Sequence, residues 1–498
     1  MSVIYNSNRN RGQFYPDYSS FIDYLDSNKV TPEILSKIIK KHLLNSDFNR
    51  SLYDRYRLCE DSIPIFGRSA RFDDSEDVIN NKLHNTFISE IINQKVGYFA
   101  GRPLKYSYSE TDESEEDTGG KEGVEEAAKA LNDFVTVNSI WKHDMETTRL
   151  ASIAGYCARI MYIDFEDGKE KIITIPAHEA IILSHNNNLS NPDYAIRYYC
   201  VQDINDNTIY KVEFYDDIFV YYFEGGSIDD LNLIKTDLHL FNKCPMWGVM
   251  NNDDMTSDIE SVLTLVDSYD QVLSDQSNEL ESFANSYMVF ENINITDEER
   301  RKAQHSGCFS FFNGNGTGKI YFLTKDLNNT VTENHLTRLE DNIYKFSQSI
   351  DFWDNEFYSA SGVALEYRLM PLKLKCNTFE SQFEMSNRYM FKLLAGSFAK
   401  RGIEFDYLQA YTAVRNNFPV DTLAEAQKVQ QLISAGLPKK IAFEVLSFVD
   451  DIDNVMDMIE EEKDENLERF YSSSLSNKKN DENLEETSIN DDKNESEE

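Results

Sequence analysis

The sequence predicts an α+β chain, mainly helical, and three observations carry that class. Long stretches free of glycine and proline set apolar residues at three-and-four spacing, foremost from Ser257 to about Phe290. From Arg159 to Leu240 the pattern switches to period two. A run of acid and glycine, YSYSETDESEEDTGGKEGVEE, separates helical blocks as an exposed loop. The 498 residues suffice for roughly three domains, and 41% hydrophobic with 12% aromatic residues is a globular composition.

Residues 1–30 read as an arm with little periodicity. A helix over Thr31–Leu44 is capped by Thr31, opened by Pro32 and apolar at Ile34, Leu35, Ile38, Ile39 and Leu43. A second, Asp77–Phe99, stops at Gly97–Pro103, and a third spans Val124–Gly155. ARIMYIDF, KIITI, AIRYYCV, TIYKVEFY and DIFVYYFEGG then alternate or run apolar, with Asp167-Gly168 and Asp216-Asp217 as turns, so an antiparallel sheet region is expected.

The stretch from Ser257 opens with an S-x-x-E pair, Ser257 and Glu260, the pattern of a capping box. Ile259, Val262, Leu263, Val266, Tyr269 and Leu273 give it an apolar side, and Asp267, Asp270, Asp275, Glu279 and Glu281 an acidic one. Straight to Phe290 it would be roughly 50 Å long, a spacer or part of a tube wall. Next, CFSFF and KIYFL flank the glycine-rich NGNGTG and predict a hairpin. A returning helix repeats the capping signal at Thr330 and Glu333, with Leu336, Leu339, Ile343, Phe346 and Ile350 on one side. Another starts near Gly362 and should kink at Pro371. Residues 403–462 form a small helical module, Leu423–Ala435, Lys439–Phe448 and Ile452–Glu462, before an acidic tail from Asp464 expected to be disordered.

Composition excludes several functions. A net charge of −38 gives no general attraction for a phosphate backbone, though it is compatible with DNA that slides past without sticking. The six cysteines, 59, 157, 200, 244, 308 and 376, form no C-x-x-C, and most read as core thiols of a reducing compartment. No secretory h-region and no apolar run of membrane-spanning length is found, so no membrane role is expected. NGNGTGK fails the Walker pattern, since Asn313 replaces the first glycine and Ile320 follows Lys319. His178-Glu179 and His185 lack a further ligand pattern for zinc. No G-x-S-x-G or H-E-x-x-H occurs, so no catalytic residue, metal or cofactor is expected. FWDNEFYSAS admits two readings: a loop whose Phe352, Trp353, Phe357 and Tyr358 pack into a core, or one that presents them to a substrate.

The order of parts resembles the portal proteins of long-tailed double-stranded DNA bacteriophages, in particular the family from phages of Gram-positive hosts. NNKLHNTFISEIINQKVGYFAGRPLKY carries a Val-Gly-Tyr phrase from Val96 to Pro103; LASIAGYCARIMYID spans Leu150–Asp164. The Ser257 stretch is similar to the family's first stem helix, and NIYKFSQSIDFWDNEFYSASGVALEYRLMPLKLK to its second stem helix, channel loop and the Ser-Gly-Val-Ala start of the wing helix. With FVDDIDNVMDMIEEE, the likeness covers most of residues 50–462. Arg57–Asp61 replaces a common Tyr-x-Gly turn, and Pro371 stands where glycine is common.

The resemblance implies a ring of about twelve subunits at one capsid vertex of the virion, assembled in the host cytoplasm, through which double-stranded DNA is packaged and ejected. Its expected parts are an arm (1–30), wing (31–254), stem helix (255–290), clip (291–329), second stem helix (330–350), channel loop (351–361), kinked wing helix (362–402), crown (403–462) and tail (463–498). DNA would meet the channel loop, Asp351, Phe352, Trp353, Asp354, Asn355, Glu356, Phe357, Tyr358 and Ser359. The clip would offer Phe309, Phe311, Asn313, Asn315, Lys319 and Tyr321 to the terminase large subunit and then to a head-completion adaptor protein. Scaffolding and major capsid proteins are further expected partners. The competing reading is a metal-dependent enzyme acting on nucleic acid, its acids holding the metal, which predicts tightly bound divalent metal and activity in a monomer. A scaffold that binds only protein partners is the third.

Overall fold

The computed structural model describes residues 15–69, 79–108, 118–284, 287–291, 318–323, 329–352, 362–414 and 422–443, with isolated positions in 296–301 and 417–463. The chain divides into two compact units, Met1–Asn417 and Phe418–Glu498.

The first unit begins with α1 (Ser19–Ser27), within the stretch expected to be a loose arm. Tyr15, Tyr18, Ile22 and Leu25 are instead buried. The Tyr15 hydroxyl donates to the Ile182 carbonyl (3.0 Å) and accepts from the Ile182 N–H (2.7 Å). Nine residues are too few to show helical periodicity, so only the tertiary contacts reveal this anchor. In α2 (Pro32–Tyr56) the Thr31 hydroxyl caps the Ile34 N–H (3.4 Å), as its sequence predicts. The helix runs a full three turns past Leu44 because buried polar residues continue its inner face. His42 bridges the hydroxyls of Tyr198 and Tyr156 at 2.8 and 2.9 Å, and the Ser46 hydroxyl donates to the His178 carbonyl (2.8 Å).

Helix α3 is Phe87–Ala100, shorter than expected, since 79–86 holds no regular structure. The single helix expected over Val124–Gly155 is two, α4 (Thr118–Asn138) and α5 (Ile140–Ala154), broken at Ser139 with φ 47°. Gly155 ends α5 at φ 86°, its N–H on the Ala151 carbonyl (2.8 Å). A Cβ there would lie 1.9 Å from the Met255 carbonyl oxygen, so glycine is required twice over.

The period-two region is antiparallel, as expected. Strand β1 (Lys105–Tyr108) precedes it; β2 (Tyr156–Ile163) then pairs with β3 (Glu170–Pro176) and with β9 (Met246–Met250). A five-stranded meander runs β4 (Ala180–Leu183), β5 (Tyr194–Gln202), β6 (Thr208–Tyr215), β7 (Phe219–Gly225), β8 (Asn232–Leu238). Asp216 caps the β6–β7 turn, its carboxylate accepting from Ile218 and Phe219 N–H at 2.7 and 2.6 Å. The meander, α1 and α2 share one apolar core.

Helix α6 is Leu263–Ala284, six residues shorter at each end than the stretch expected. It leads into β10 (Tyr287–Glu291), which pairs antiparallel with β11 (Lys319–Leu323). YMVFE holds two aromatic residues and a β-branched valine, and that strand preference overrides the helical spacing read through to Phe290. KIYFL is a strand as expected, and its described partner is YMVFE; CFSFF and NGNGTG lie outside the described residues. Helix α7 (Asn329–Phe346) returns, and α8 (Gly362–Lys400) runs 39 residues, continuing through an exposed Pro371. Its inner side, with Phe379, Phe383, Met390, Leu393, Leu394 and Phe398, is buried. Beneath it, Arg159 and Asp144 form a fully buried pair (2.8 Å) that also takes the Tyr106 hydroxyl.

Strand β12 (Ala410–Ala413) pairs with β1, so residues at the start of the module expected at 403–462 are part of the first unit. In the second unit α9 (Thr422–Ser434) ends at Gly436, φ 95°, and α10 is Lys439–Phe443. Gly436 N–H bonds the Ile433 carbonyl and Leu437 N–H the Leu432 carbonyl, the hydrogen-bond pair of a glycine helix stop. The acidic tail from Asp464 lies outside the described residues.

Candidate functional site

The helix pair α6–α7 and the chain leaving it are where the sequence places a function, and the first question is where the acids of α6 point. They point into their own subunit. The Asp267 carboxylate pairs with Arg55 of α2, and Asp275 with Arg68. Asp270, 1% exposed, takes the imidazole of His84 at 2.5 Å and both the N–H and side-chain amide of Asn85 at 2.9 Å. One turn on, the Ser274 hydroxyl accepts from the Leu83 N–H (3.0 Å), then Asn278 from the Asn81 N–H (2.6 Å), and Glu281 from the Asn81 amide (2.8 Å).

The receiving segment, 79–86, is neither helix nor strand, so its backbone donors need partners. Asp270, Ser274 and Asn278 supply them along one face, which Asp267 and Glu281 extend by holding Arg55 and the Asn81 side chain. That 3-4-4-3 rhythm of polar residues was visible in the sequence. Without a partner segment in view it reads as a solvated or channel-lining face, and the structure corrects this for Asp267, Asp270 and Asp275, while Glu281, though bonded to Asn81, is exposed.

The apolar side of α6 is used at its base. Leu263 and Val266 are buried with Ile259, Val262, Phe87, Ile88, Ile91, Ile92, Ile343 and Tyr344. Tyr269 and Tyr344 meet the Phe87 ring edge-on at 5.1 and 5.9 Å. Toward the strand pair exposure rises, with Leu280 53% and Val331 62% exposed. The helix starts late because Ser257 and Asp258 are otherwise engaged. The Ser257 hydroxyl accepts from Ile259 N–H (3.2 Å) and donates to the Ser152 carbonyl (3.3 Å).

Asp258 belongs to a buried charge junction. Lys95 of α3 donates to Asp258 (3.0 Å) and to Asn251 (2.6 Å), 4.6 Å from the Phe379 ring centroid of α8. Burial alone would raise the Asp258 carboxyl, but the ammonium groups of Lys95 and Lys375 outweigh it and hold it below its ordinary value. Lys375 of α8 donates to the Ser347 carbonyl (2.8 Å) just past α7. Burial lowers its pKa, with Asp258 opposing and Lys95 adding to the shift. A cavity of about 400 Å³ adjoins these groups. One junction thus ties α3, the approach to α6, the end of α7 and the early turns of α8.

The end of α7 is fixed with equal care. Ser349 N–H bonds the Tyr344 carbonyl (3.0 Å) and Gln348 N–H the Lys345 carbonyl (3.4 Å), with Gln348 at φ 54°, a helix stop normally given to glycine. Gln94 of α3 then grips the Ile350 peptide from both sides, accepting from its N–H (2.9 Å) and donating to its carbonyl (2.6 Å). The Tyr344 hydroxyl donates to Glu90 (3.0 Å). Burial raises the Glu340 carboxyl, and Asp351, Asp341 and Glu90 push it further in the same direction.

Of the residues expected in the channel loop, Asp351 and Phe352 are half-buried at this pinned exit, and Trp353 through Ser359 lie outside the described residues. Of the clip residues, Lys319 and Tyr321 are exposed on β11, Tyr321 by 45%, opposite Glu291 and Val289; Phe309, Phe311, Asn313 and Asn315 lie outside. Among the described residues no group of three or more His, Cys, Asp or Glu is placed to hold a metal, and no helix is long and apolar enough to cross a membrane. His185 sits beside Asp193 (2.8 Å), with Asp26 at 3.6 Å and Asp23 at 3.9 Å from its other ring nitrogen. Cys157, Cys244 and Cys376 are buried free thiols, Cys157 pushed up to about 12 and Cys376 to about 11 chiefly by burial; Cys59 and Cys200 are exposed. The residues that sequence reasoning missed are Lys95, Gln94 and Lys375, polar positions inside helical patterns that give no signal without their partners.

Residues 7–469 match the family described as phage portal protein, SPP1 Gp6-like. The chain is similar to the portal protein of Bacillus phage SPP1, 24% identical over 436 residues, 83% of each chain. It is also similar to the portal protein of Clostridium phage phiCD119, 23% identical over 407 residues, 77% of this chain and 85% of the relative.

Proposed function

The chain belongs to the SPP1 Gp6-like phage portal protein family, and we propose on that premise how its parts serve the ring. Members are structural, non-enzymatic proteins of the virion that assemble as rings and form the conduit for DNA packaging and ejection. The ring here has about twelve subunits and stands at one capsid vertex, assembled in the host cytoplasm. Helices α6 and α7 are the stem, the β10–β11 unit the clip, residues 351–361 the channel loop, and 31–254 with α8 the wing. The pairing of β12 with β1 supports starting the crown near Phe418 rather than at 403.

The match across residues 7–469 carries this reading. The geometry supports its mechanics. A stem whose base is buried in the wing and whose acids are bonded to its own subunit is a rigid strut. The double grip of Gln94 on Ile350 sets where the channel loop, Asp351 to Ser359, departs, and that loop would meet DNA in the bore. The clip, with Lys319 and Tyr321 exposed, receives the terminase large subunit during packaging and a head-completion adaptor afterwards; scaffolding and major capsid proteins surround the wing.

Electron microscopy of the purified chain, joined to an in vitro packaging assay, tests this. Rings with an axial hole are expected, with Trp353→Ala and Phe357→Ala rings intact but impaired in packaging. A compact monomer at all concentrations, or loop variants that package normally, would refute the assignment.

A further inference from the structure

The long helix α8 has an outer face left exposed among the described residues. Tyr367, Met370 and Leu374 are 75%, 49% and 53% exposed, and the exposed Thr378 and Ser381 continue the same face. Steps of three and four residues make these one stripe. No charge falls on it, in a chain where 27% of residues are charged. An aromatic, a thioether and a leucine exposed in succession mark a surface that is covered in the working state.

We propose that this stripe of α8 is the surface through which each subunit packs against the neighbouring copy in the ring. The inference rests on the family's ring assembly and is independent of which residues line the channel. A ring is built from heterologous contacts, so every subunit must present one surface to the copy on its left and a different one to the copy on its right. Copies that each carry −38 repel one another, so the contact needs both apolar burial and local cations. The opening of α8 supplies both. From Gly362 to Lys375 it carries Arg368, Lys373 and Lys375 against the single acid Glu366, whereas α6 has five acids and neither lysine nor arginine. Lys375 is spent inside its own subunit on Ser347, while Lys373 is exposed beside the stripe.

An acidic neighbouring copy therefore meets a greasy stripe with the exposed Lys373 at its edge. DNA is the poorer occupant, because Tyr367, Met370 and Leu374 offer a phosphate backbone nothing. The exposed apolar residues of β8, Leu233, Ile234 and Leu238, are a second bare patch, interleaved with Lys235 and Asp237. That patch provides the control.

The test uses the full chain, with native mass spectrometry and electron microscopy across a concentration series. Leu374→Asp is expected to raise the concentration at which rings form by at least roughly 30-fold, the effect of losing an interface hot spot. The monomer's far-ultraviolet circular dichroism should stay that of wild type, since the side chain is already half in water. Ile234→Asp should form rings as wild type does. In parallel, rings mixed from light and heavy-isotope wild-type chains are treated with a zero-length carbodiimide. Cross-links from Lys373 to a carboxylate of the opposite label are expected, and this arm needs no variant to fold. Leu374→Asp rings at wild-type concentrations, or Lys373 links confined to one label, overturn the proposal. Wild-type protein that never forms rings would instead remove the ring premise itself, a result distinguishable from both.

Discussion

Replacing Asp270 by alanine separates two uses of the acidic helix α6. If the acids of α6 serve the bore, neutralising one leaves subunit stability unchanged and alters only DNA passage. The structure predicts the reverse. Asp270 is 1% exposed and takes three hydrogen bonds, from His84 at 2.5 Å and from the Asn85 backbone and side chain at 2.9 Å each. A hydrogen bond to a charged group contributes about 1.5–3 kcal/mol, and the loss here also strands donors of the 79–86 segment. Because the three share one acceptor and do not add, the net loss is about 3–5 kcal/mol.

Hydrogen exchange in the native state reads this directly. The amides of α6 and of residues 81–86 should exchange at least roughly 100-fold faster in Asp270→Ala, as 3 kcal/mol is more than two decades in an equilibrium constant. The control is Asp341→Ala on the exposed side of α7, expected to move stability by less than about 0.5 kcal/mol. Equal exchange in wild type and Asp270→Ala, with normal stability, would refute the anchoring role.

Two more predictions follow from buried ionisable groups. Removing the Lys95 ammonium by Lys95→Met leaves the Asp258 carboxylate short of its nearest cation, and urea unfolding should show a loss of about 3–5 kcal/mol. Stability should also fall on mild acidification. Burial, followed by the charge of His178, lowers the pKa of His42 to about 3; His143 and His178 are each lowered to about 4, mainly by burial. The folded-state values lie below the unfolded one near 6.5, so the unfolded chain takes up protons first. The stabilisation is complete above about pH 6.5 and is lost as pH falls from there towards 4, by up to about 1.4 kcal/mol per pH unit for each histidine. Chemical denaturation at pH 7.5, 6 and 5 checks this, and a His42→Gln variant should flatten the slope.

Much was legible from sequence alone because periodicity and capping are local. The Thr31 cap, the strand turns at Asp167-Gly168 and Asp216-Asp217, the α7 repeat of Leu336, Leu339 and Ile343, and the break between Ala435 and Lys439 at Gly436 all formed where neighbouring residues dictate them. The family, too, was legible as an order of parts. What escaped depends on partners far along the chain. Tyr15 is anchored by Ile182, His42 by Tyr156 and Tyr198, and Lys95 by Asp258; each is a polar group whose burial is tolerable only because a distant residue bonds it.

The same division runs through the acidic helix. Its sequence by itself determined that α6 has one apolar and one acidic side, because side-chain direction repeats every 3.6 residues whatever surrounds the helix. Which of the two sides faces water was decided only by tertiary structure. Arg55, Arg68 and the unpaired backbone of residues 79–86, roughly 200 positions away, turn Asp267, Asp270 and Asp275 inward, since a carboxylate satisfies orphaned donors better than solvent can once the segment is packed against it.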